Sequence, residues 1–163
     1  MGVISSANSL IGSTNDDQVG KDGVYPLSNG HYLVATSTWD CGVSAMAVPN
    51  AGAVTWGDGT HGVMGFIGSN NSLIGTSVED RVGKGSIVEL SSGNFVVGSP
   101  YWSNSRGAVT WGSGVNGVTG SVGSSNSLVG AKSSDYVGQS VVPLTNGNYV
   151  VLSPTWDNAS VPD

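Results

Sequence analysis

The sequence predicts an all-β protein, a propeller-type array of four-stranded antiparallel blades. Three observations lead to this prediction. A hairpin-like segment occurs three times, a Gly-Ala-Val-Thr-Trp segment occurs twice, and apolar residues recur in short runs without helical spacing. The chain also has 26 glycines among its 163 residues, and glycine destabilises helix interiors. We therefore expect almost no helix and about half of the residues in strands.

The hairpin-like segment is the most regular element of the chain. Its three copies lie at 27–34, 90–97 and 144–151. In each copy an apolar arm ends at a leucine, an Asn-Gly or Ser-Gly pair follows, and an aromatic residue begins a second apolar arm. Glycine supplies the positive φ that tight hairpin turns require. Each copy therefore predicts a β-hairpin.

Three further motifs lie at corresponding places in the repeats. They are Asn-Ser-Leu-Ile/Val-Gly at 8–12, 71–75 and 126–130, Asp-x-Val-Gly at 17–20, 80–83 and 135–138, and Gly-Ala-Val-Thr-Trp-Gly at 52–57 and 107–112. The first motif and the Ala-Val-Thr-Trp segment read as strands, which gives four strands per unit with the hairpin. Four antiparallel strands at this period favour a propeller blade over a solenoid coil. A β-trefoil would require three complete copies and a shorter period.

The repeat boundaries follow from these motifs. The chain is expected to be one repeat domain over 1–163, with repeats at about 2–64, 65–119 and 120–163, the last of them truncated. The repeat period is 55 residues between the second and third copies and 63 between the first and second. Eight extra residues lie between Trp39 and Gly52, and we expect them to form a longer surface loop around Cys41.

The repeated motifs resemble the FG-GAP blade of integrin-α-like propellers. The resemblance rests on Asp135-x-Val137-Gly138, on the Val-Val-Leu-Ser-Pro segment at 150–154 and on the Gly-Ala-Val-Thr-Trp segment at 107–111. The repeats are also similar to those of large bacterial surface proteins with filamentous-haemagglutinin-like ends. This resemblance implies a β-propeller, a secreted or cell-surface location and a structural or adhesive role. The FG-GAP calcium loop is not carried over, because the hairpin turns here contain no carboxylate and calcium requires several oxygen ligands.

Composition argues against several classes of function. The net charge of −6 is unsuited to nucleic-acid binding, which needs a basic face. No run approaches the roughly 18 apolar residues of a membrane helix, so membrane insertion is not expected. A single cysteine, Cys41, cannot form an intramolecular disulfide.

The polar residues point to structure more than to catalysis. Asp17, Asp80 and Asp135 recur before Val-Gly, and a turn aspartate that accepts backbone hydrogen bonds explains them better than a metal or catalytic site. His31 and His61 are isolated, so no metal-ligand cluster can be assembled. No Gly-x-Ser-x-Gly nucleophile motif occurs either. We therefore expect no enzyme activity, no metal and no cofactor.

The five tryptophans fall into two classes. Trp56 and Trp111 lie within predicted strands, where packing between blades is expected. The others follow strand ends and have polar or aromatic neighbours, which makes a candidate ligand-binding set of Trp39, Asp40, Tyr101, Trp102, Trp156 and Asp157. Loop aromatics beside hydroxyl and carboxylate groups can stack on sugar rings or bind a protein. Repetition in every unit equally suits a structural side chain wedged between blades, and the sequence leaves both interpretations open.

These observations predict a non-enzymatic structural or adhesive module of a secreted or cell-surface bacterial protein. The alternative is a lectin-like propeller that binds carbohydrate through its loop aromatics. We also expect head-to-tail homo-oligomers, closed as a ring or open as a filament. The reason is that an incomplete last blade would expose apolar residues such as Val150, Leu152 and those equivalent to Val54. The strand near Leu10 is expected to complete a neighbour's last blade.

Overall fold

The computed structural model describes residues 2–156, and these residues are almost entirely β-structure, as predicted. The helical segments in this part of the chain are one 3-10 turn at Ser44–Met46 and one short turn, α1, at Trp102–Ser105. The strands are β1 (Leu10–Ile11), β2 (Gly23–Pro26), β3 (Tyr32–Thr36), β4 (Ala53–Gly57), β5 (Gly65–Phe66), β6 (Ser72–Ile74), β7 (Ile87–Glu89), β8 (Phe95–Ser99), β9 (Ala108–Gly112), β10 (Gly120–Ser121), β11 (Ser127–Val129), β12 (Ser140–Pro143) and β13 (Tyr149–Leu152).

The strands form three successive layers. The first layer has the order β2-β3-β4-β6 with β10 added at its edge, the second has the order β7-β8-β9-β11, and the third is the hairpin β12–β13. Neighbouring strands within a layer are antiparallel, whereas β10 runs parallel to β6. A separate parallel pair, β1–β5, precedes the first layer. The predicted tandem arrangement of antiparallel sheets is therefore present.

The layers do not begin and end at the expected repeat boundaries. The Ser-Leu-Ile strand β6 pairs with β4, the Ala-Val-Thr-Trp strand that precedes it in the chain, and β11 pairs with β9 in the same way. A layer therefore begins at the hairpin and runs across the boundary expected near residue 64. The short strands β5 and β10 were not expected from the sequence, because two residues are too few to show alternation.

The three hairpin turns have the predicted geometry. Gly30, Gly93 and Gly147 have φ of 88°, 78° and 86°. In the first turn the Gly30 N–H donates to the Leu27 carbonyl at 3.0 Å, and the Leu27 N–H donates to the His31 carbonyl at 2.8 Å. This pattern is that of a tight turn followed by a left-handed residue, a common three-residue hairpin loop.

Apolar contacts between successive sheets form the core. One cluster joins the first two layers and includes Leu33, Val54, Leu73, Phe95 and Val97. A second cluster joins the second and third layers through Val96, Val109 and Val141. A third lies on the opposite side of the first layer, around Trp39 and Ile74. Because strand side chains alternate between faces, Val96 and Val97 contribute to different interfaces.

The second and third Asp-x-Val-Gly segments, at 80–83 and 135–138, lie between these layers. Val82 packs in the cluster between the first and second layers, and its backbone forms a parallel bridge with Gly52. Val137 and Gly107 repeat this arrangement one layer later. Gly107 has φ of 78°, and a Cβ there would meet the backbone of Val137. Each segment therefore covers the start of the preceding Ala-Val-Thr-Trp strand.

The aspartate of each segment accepts backbone hydrogen bonds, as predicted. Asp80 Oδ2 accepts the Thr76 and Ser77 N–H groups at 3.0 and 2.9 Å, and Asp80 Oδ1 accepts the Ser103 N–H at 2.8 Å. Asp17 and Asp135 accept the equivalent pair of N–H groups through Oδ2. All three carboxylates are buried. We call this arrangement the aspartate knot, namely Asp17, Asp80 and Asp135 with the N–H groups that they accept.

The strand content is lower than expected, since strands make up fewer than a third of the described residues. The reason is that the connections between strands are turns fixed by hydrogen bonds from side chains, such as the aspartate knot and the Asn71 Oδ1 contact with the Gly68 N–H at 3.0 Å. The long loop after Trp39 is held by backbone hydrogen bonds, since the Cys41 N–H donates to the Val48 carbonyl at 3.0 Å and the Val48 N–H donates to the Cys41 carbonyl at 2.8 Å. Glycine-rich and polar sequence between strands therefore folds as ordered turns.

We predict that Asp80→Ala destabilises the fold by about 3 kcal/mol, because it leaves three backbone N–H groups without their acceptor in a buried place. The free energy of unfolding from urea titration measures this change. Asp16→Asn alters an exposed neighbour of Asp17 and serves as the control, with an expected change within about 0.5 kcal/mol. Equal effects of the two substitutions would contradict a structural role for the knot.

We also predict acid sensitivity at the interface between the first two layers. Lys84 Nζ donates to Asp22 Oδ1 at 2.8 Å, and the Ser37 N–H donates to Asp22 Oδ2 at 2.7 Å. Burial raises the pKa of the Asp22 carboxyl, but these hydrogen bonds and the Lys84 charge outweigh it, so the pKa lies below its ordinary value. A lowered carboxyl pKa stabilises the fold above the unfolded pKa, and this contribution is lost as pH falls through the folded value.

The free energy of unfolding should therefore decrease below about pH 4, and the share due to this pair is no more than about 1 kcal/mol because Lys84 is solvated. Lys84→Met removes the cation and should make that decrease smaller. Urea titrations between neutral pH and pH 3 of the parent and the variant measure the difference. Parallel pH dependences would show that the pair contributes nothing.

Candidate functional site

The loop tryptophans occupy three different environments. Trp39 is only 3% exposed and packs with Ala53 and Ile74 in the core. Trp102 is half-buried, packs against the cluster between the first two layers, and has the Arg106 guanidinium 5.8 Å from its ring centroid. Trp156 is exposed. The burial of Trp39 favours the structural interpretation at that position, because its ring has little surface for a ligand to cover.

Asp40 supports the loop that contains Trp39. Its Oδ1 accepts the Asn50 N–H at 2.8 Å, and its own N–H donates to Asp17 Oδ1 at 2.9 Å. The Thr14 hydroxyl contacts both carboxylates. These bonds tie Asp40 to the first aspartate knot. Asp157, the corresponding candidate near Trp156, lies outside the described residues.

Tyr101 is a candidate residue that is 39% exposed and has a second aromatic ring and a cation beside it. Its ring meets Tyr136 edge to face at 6.1 Å between centroids, and the Arg81 guanidinium lies 5.9 Å from the ring centroid. A cleft of about 310 Å³ opens here; we call it the tyrosine cleft, and it is lined by Pro100, Tyr101, Tyr136, Gln139 and Thr155. The lining combines aromatic faces with amide and hydroxyl groups.

Local backbone geometry places the two tyrosines together. Tyr136 has φ of 46°, and its N–H donates to the Ser105 carbonyl at 3.0 Å. Ser103, Asn104 and Ser105 also have positive φ, so α1 is a left-handed turn. This turn brings the Ser103 N–H to Asp80. The aspartate knots of the second and third repeats thus position the loop of Tyr101 and the partner ring of Tyr136.

Sequence reasoning did not include Tyr136, Gln139 or Thr155 among the site residues. A signal for Tyr136 was present, because it replaces Gln18 and Arg81 at the variable position of the Asp-x-Val-Gly motif. Its proximity to Tyr101 depends on the left-handed turn, which no local pattern announces. Gln139 and Thr155 are brought in by long-range packing alone.

The strand tryptophans contact neighbouring repeats. Trp56 Nε1 donates to the Gly114 carbonyl of the next repeat at 3.2 Å, and the His31 ring lies 4.7 Å from the Trp56 ring between centroids. Trp111, the equivalent residue in the second layer, is exposed. The difference arises because the described third layer consists only of a hairpin and has no strand to cover Trp111.

The second and third layers present an apolar face on the side away from the first layer, which we call the end face. Val150 is 43% exposed, whereas Leu33 and Val96, the equivalent residues of the first two layers, are 0% exposed. The same contrast separates Leu128 from Leu73, which are 57% and 0% exposed. The end face consists of Trp111, Leu128, Val142, Leu144, Val150 and Leu152, all of them exposed.

The expectation that residues equivalent to Val54 would be exposed is wrong. Val54 and Val109 are each 1% exposed, because the Asp-x-Val-Gly segment of the following repeat covers them through Val82 and Val137. The exposed apolar surface is therefore confined to the hairpin, β11 and Trp111 on this side of the second and third layers.

Other classes of site receive little support from the described part of the chain. Residues 2–156 contain no group of three or more His, Cys, Asp or Glu side chains that could hold a metal. Asp58 and His61 form an exposed pair with a 2.7 Å contact, and this hydrogen bond lowers the pKa of the Asp58 carboxyl. Among the same residues, no helical segment has the length and hydropathy of a membrane span.

Comparisons with known proteins identify the repeat. A comparison with curated protein sequences finds no match. The family described as "Repeat of unknown function (DUF5650)" matches at residues 1–21, 26–84, 89–139 and 143–163. The two longest matched segments begin at the last residues of β2 and β7 and end just after the Asp-x-Val-Gly motifs at 80–83 and 135–138. The chain therefore belongs to the DUF5650 family of repeats.

Proposed function

We propose that this protein is a non-enzymatic structural or adhesive repeat module that associates head to tail through the faces of its terminal layers. The observation that carries the proposal is the end face. Its apolar residues are equivalent to residues of the first layer that are buried or half-buried, and the first layer is the one that a complete second layer follows. Exposed contiguous apolar surface of this kind is typical of interaction sites in soluble proteins.

The internal interfaces indicate which kind of contact matters. Their polar contacts differ, since Ser28 bonds to Glu89 between the first two layers, whereas Ser91 bonds to the Thr145 carbonyl between the second and third. Their apolar contacts recur, with Leu27 and Leu90 both buried. Leu144, the third equivalent, is exposed. Stacking of apolar faces is therefore the common feature that a further layer or a second copy would reproduce.

Sheet order changes the expected mode of association. In the first layer β6 pairs with β4, and in the second β11 pairs with β9. Because β1 is equivalent to β6 and β11, its antiparallel partner would be an Ala-Val-Thr-Trp strand and not the arm of a hairpin. Direct addition of β1 to a neighbour's third hairpin is therefore not the pairing that the layers use. Face-to-face stacking is the mode that they use twice.

This proposal includes a location and a larger architecture. A charge-poor, glycine-rich β-repeat suits a secreted or cell-surface bacterial protein, and repeat layers that contact only their neighbours suit extended arrays. The same proposal includes an FG-GAP-like propeller. In that case the layers close into a ring, whereas otherwise they form an open filament. Layers that stack face to face along the chain support either arrangement.

The first test is the oligomeric state. We predict that light scattering at micromolar concentration gives a mass that rises above the 16.4 kDa of one chain. Val150→Asp places a charge in the end face and should weaken association by about tenfold or more. Val78→Asp, at an exposed position in the turn before Asp80, is the control and should associate like the parent. A parent protein that stays at the monomer mass would refute the proposal.

Carbohydrate binding is the second candidate function, and the tyrosine cleft favours it. Tyr101 offers an exposed ring, and Gln139 and Thr155 add an amide and a hydroxyl group at its side. An aromatic face with flanking hydrogen-bonding groups is the composition that a small sugar-binding cleft requires. Trp156 is also exposed and remains part of this proposal.

For this candidate we predict that a glycan array shows binding by the parent chain and at least a tenfold loss for Tyr101→Ala. The substitution removes the exposed ring without emptying the core. Trp111→Ala removes an exposed aromatic residue outside the tyrosine cleft and should bind glycans like the parent. The absence of any glycan ligand, or equal binding by Tyr101→Ala, would exclude the cleft as a sugar site.

A further inference from the structure

The hairpins of the three layers stack on one another twice within the chain. Leu33 of the first hairpin, β2–β3, belongs to the same apolar cluster as Phe95 and Val97 of the second hairpin, β7–β8. Val96 of the second hairpin belongs to the same cluster as Val141 of the third hairpin, β12–β13. In both places the residue that follows the aromatic residue of one hairpin packs on the opposite face of the hairpin that comes next.

The third hairpin leaves the corresponding face uncovered. Val150 follows the aromatic residue of this hairpin and is 43% exposed, whereas Leu33 and Val96 are 0% exposed. Leu144 is also exposed, whereas its equivalent Leu27 is buried in the cluster between the first two layers. This face of the third hairpin is therefore the half of a stacking contact that has no partner within residues 2–156.

The first hairpin has the other half of such a contact on its opposite side. Val24 is 59% exposed, whereas its equivalent Val141, which a preceding layer covers, is 5% exposed. Tyr32 is half-buried, whereas its equivalent Phe95 is fully buried against the first layer. We call Val24, Tyr32 and the neighbouring turn at Gly59 the first-hairpin face.

The strand pair β1–β5, which precedes the first layer, lies to one side of the first-hairpin face. Leu10 of β1 packs against the cluster around Trp39, and the strand residues of that cluster, Ala53 and Ile74, belong to β4 and β6. No residue of β2 or β3 belongs to it. In the described part of the chain the third layer is a hairpin alone, so the β1–β5 pair of a second copy can lie beside this hairpin.

A hydrogen bond between layers also has its two halves at the ends of the stack. Asn29 Nδ2, in the turn of the first hairpin, donates to the Gly114 carbonyl of the second layer at 2.8 Å. Asn146 is the equivalent of Asn29 in the third hairpin, and Gly59 is the equivalent of Gly114 in the first layer. Among the described residues, no group forms a hydrogen bond with Asn146 Nδ2 or with the Gly59 carbonyl.

The two glycines occupy the same place in their layers. A Cβ on Gly59 or on Gly114 would meet the carbonyl oxygen of the hairpin-turn glycine in the same layer at 1.8 Å. The Gly59 carbonyl of a second copy is therefore presented to the third hairpin as the Gly114 carbonyl is presented to the first. The chain carries an unused donor at one end of the stack and the matching acceptor at the other.

We propose that the third hairpin of one copy stacks on the first-hairpin face of a second copy, with Val150 in the apolar contact and Asn146 Nδ2 donating to the Gly59 carbonyl. This inference rests on the proposed head-to-tail association and assigns its two contact surfaces. The second copy takes the place directly after the third hairpin, so the order of stacking within the chain continues between chains. The interface is heterologous, because each copy uses a different surface.

A complementation experiment tests this assignment with the full chain. Val150→Asp charges the third hairpin, and Val24→Asp charges the first-hairpin face at an exposed position of the edge strand β2, so the fold should tolerate either change. Each variant alone should associate at least tenfold more weakly than the parent in analytical ultracentrifugation. An equimolar mixture should form heterodimers and nothing larger, because each copy keeps one intact surface and the other two surfaces are charged.

The hydrogen bond is tested by Asn146→Ser. Serine occupies this position in the second hairpin, as Ser92, so the turn should accept it, but the shorter side chain does not reach the Gly59 carbonyl. Association should weaken by about threefold to tenfold, as expected for loss of one hydrogen bond. Asn148→Ser alters another exposed amide of the same turn and should associate like the parent. Equal association by both variants would overturn the assigned hydrogen bond.

The controls separate this inference from the proposed function. Val115→Asp charges a position as exposed as Val24, at 63% against 59%, and should associate like the parent. Far-UV circular dichroism and thermal melting of each variant exclude misfolding as the cause of a loss. If the parent associates and Val24→Asp associates equally well, the contact assignment fails while head-to-tail association stands. A mixture that stays monomeric also overturns the assignment, and a monomeric parent overturns both.

Discussion

Burial of apolar side chains between successive sheets is the interaction on which the rest of this structure depends. Within residues 2–156 every strand has five residues or fewer, and a short isolated hairpin has little stability in water. Phe95 and Val97 are fully buried only because they contact the face of the first layer, and Val96 only because the third layer lies on the other side. Each sheet is therefore folded by its neighbours as much as by its own hydrogen bonds.

The aspartate knot makes that stacking possible. The segment between two sheets turns twice through left-handed backbone, at Glu79 and Arg81 around Asp80, and side chains other than glycine adopt such φ values at a cost. Buried hydrogen bonds to the Asp80 carboxylate hold the segment in this conformation. The same carboxylate binds the loop that follows Tyr101 and Trp102, so the feature that spaces the layers also fixes the aromatic loops.

Sequence patterns predicted what depends on neighbouring residues. The hairpins followed from Leu27, Gly30 and their copies, because turn type is set within a few residues. The residues at which each layer begins and ends could not be predicted in this way. They depend on the long-range pairing of β6 with β4, and the leucine pattern of β6 does not specify its partner strand. For the same reason the burial of Trp39 and the approach of Tyr136 to Tyr101 could not be predicted. Those depend on how a left-handed turn and an interleaved segment lie in three dimensions.

The parallel pairing of β10 with β6 connects adjacent layers by strand pairing as well as by apolar contacts. Strand β10 follows the second-layer strand β9 in the chain but extends the sheet of the first layer, and β5 follows the first-layer strand β4 but pairs with β1, which precedes that layer. Unravelling one repeat would therefore strip an edge strand from the repeat before it. A tensile load applied along such a stack would be carried partly by hydrogen bonds that bridge consecutive repeats, so rupture would spread across a boundary and would not stop at a single unit.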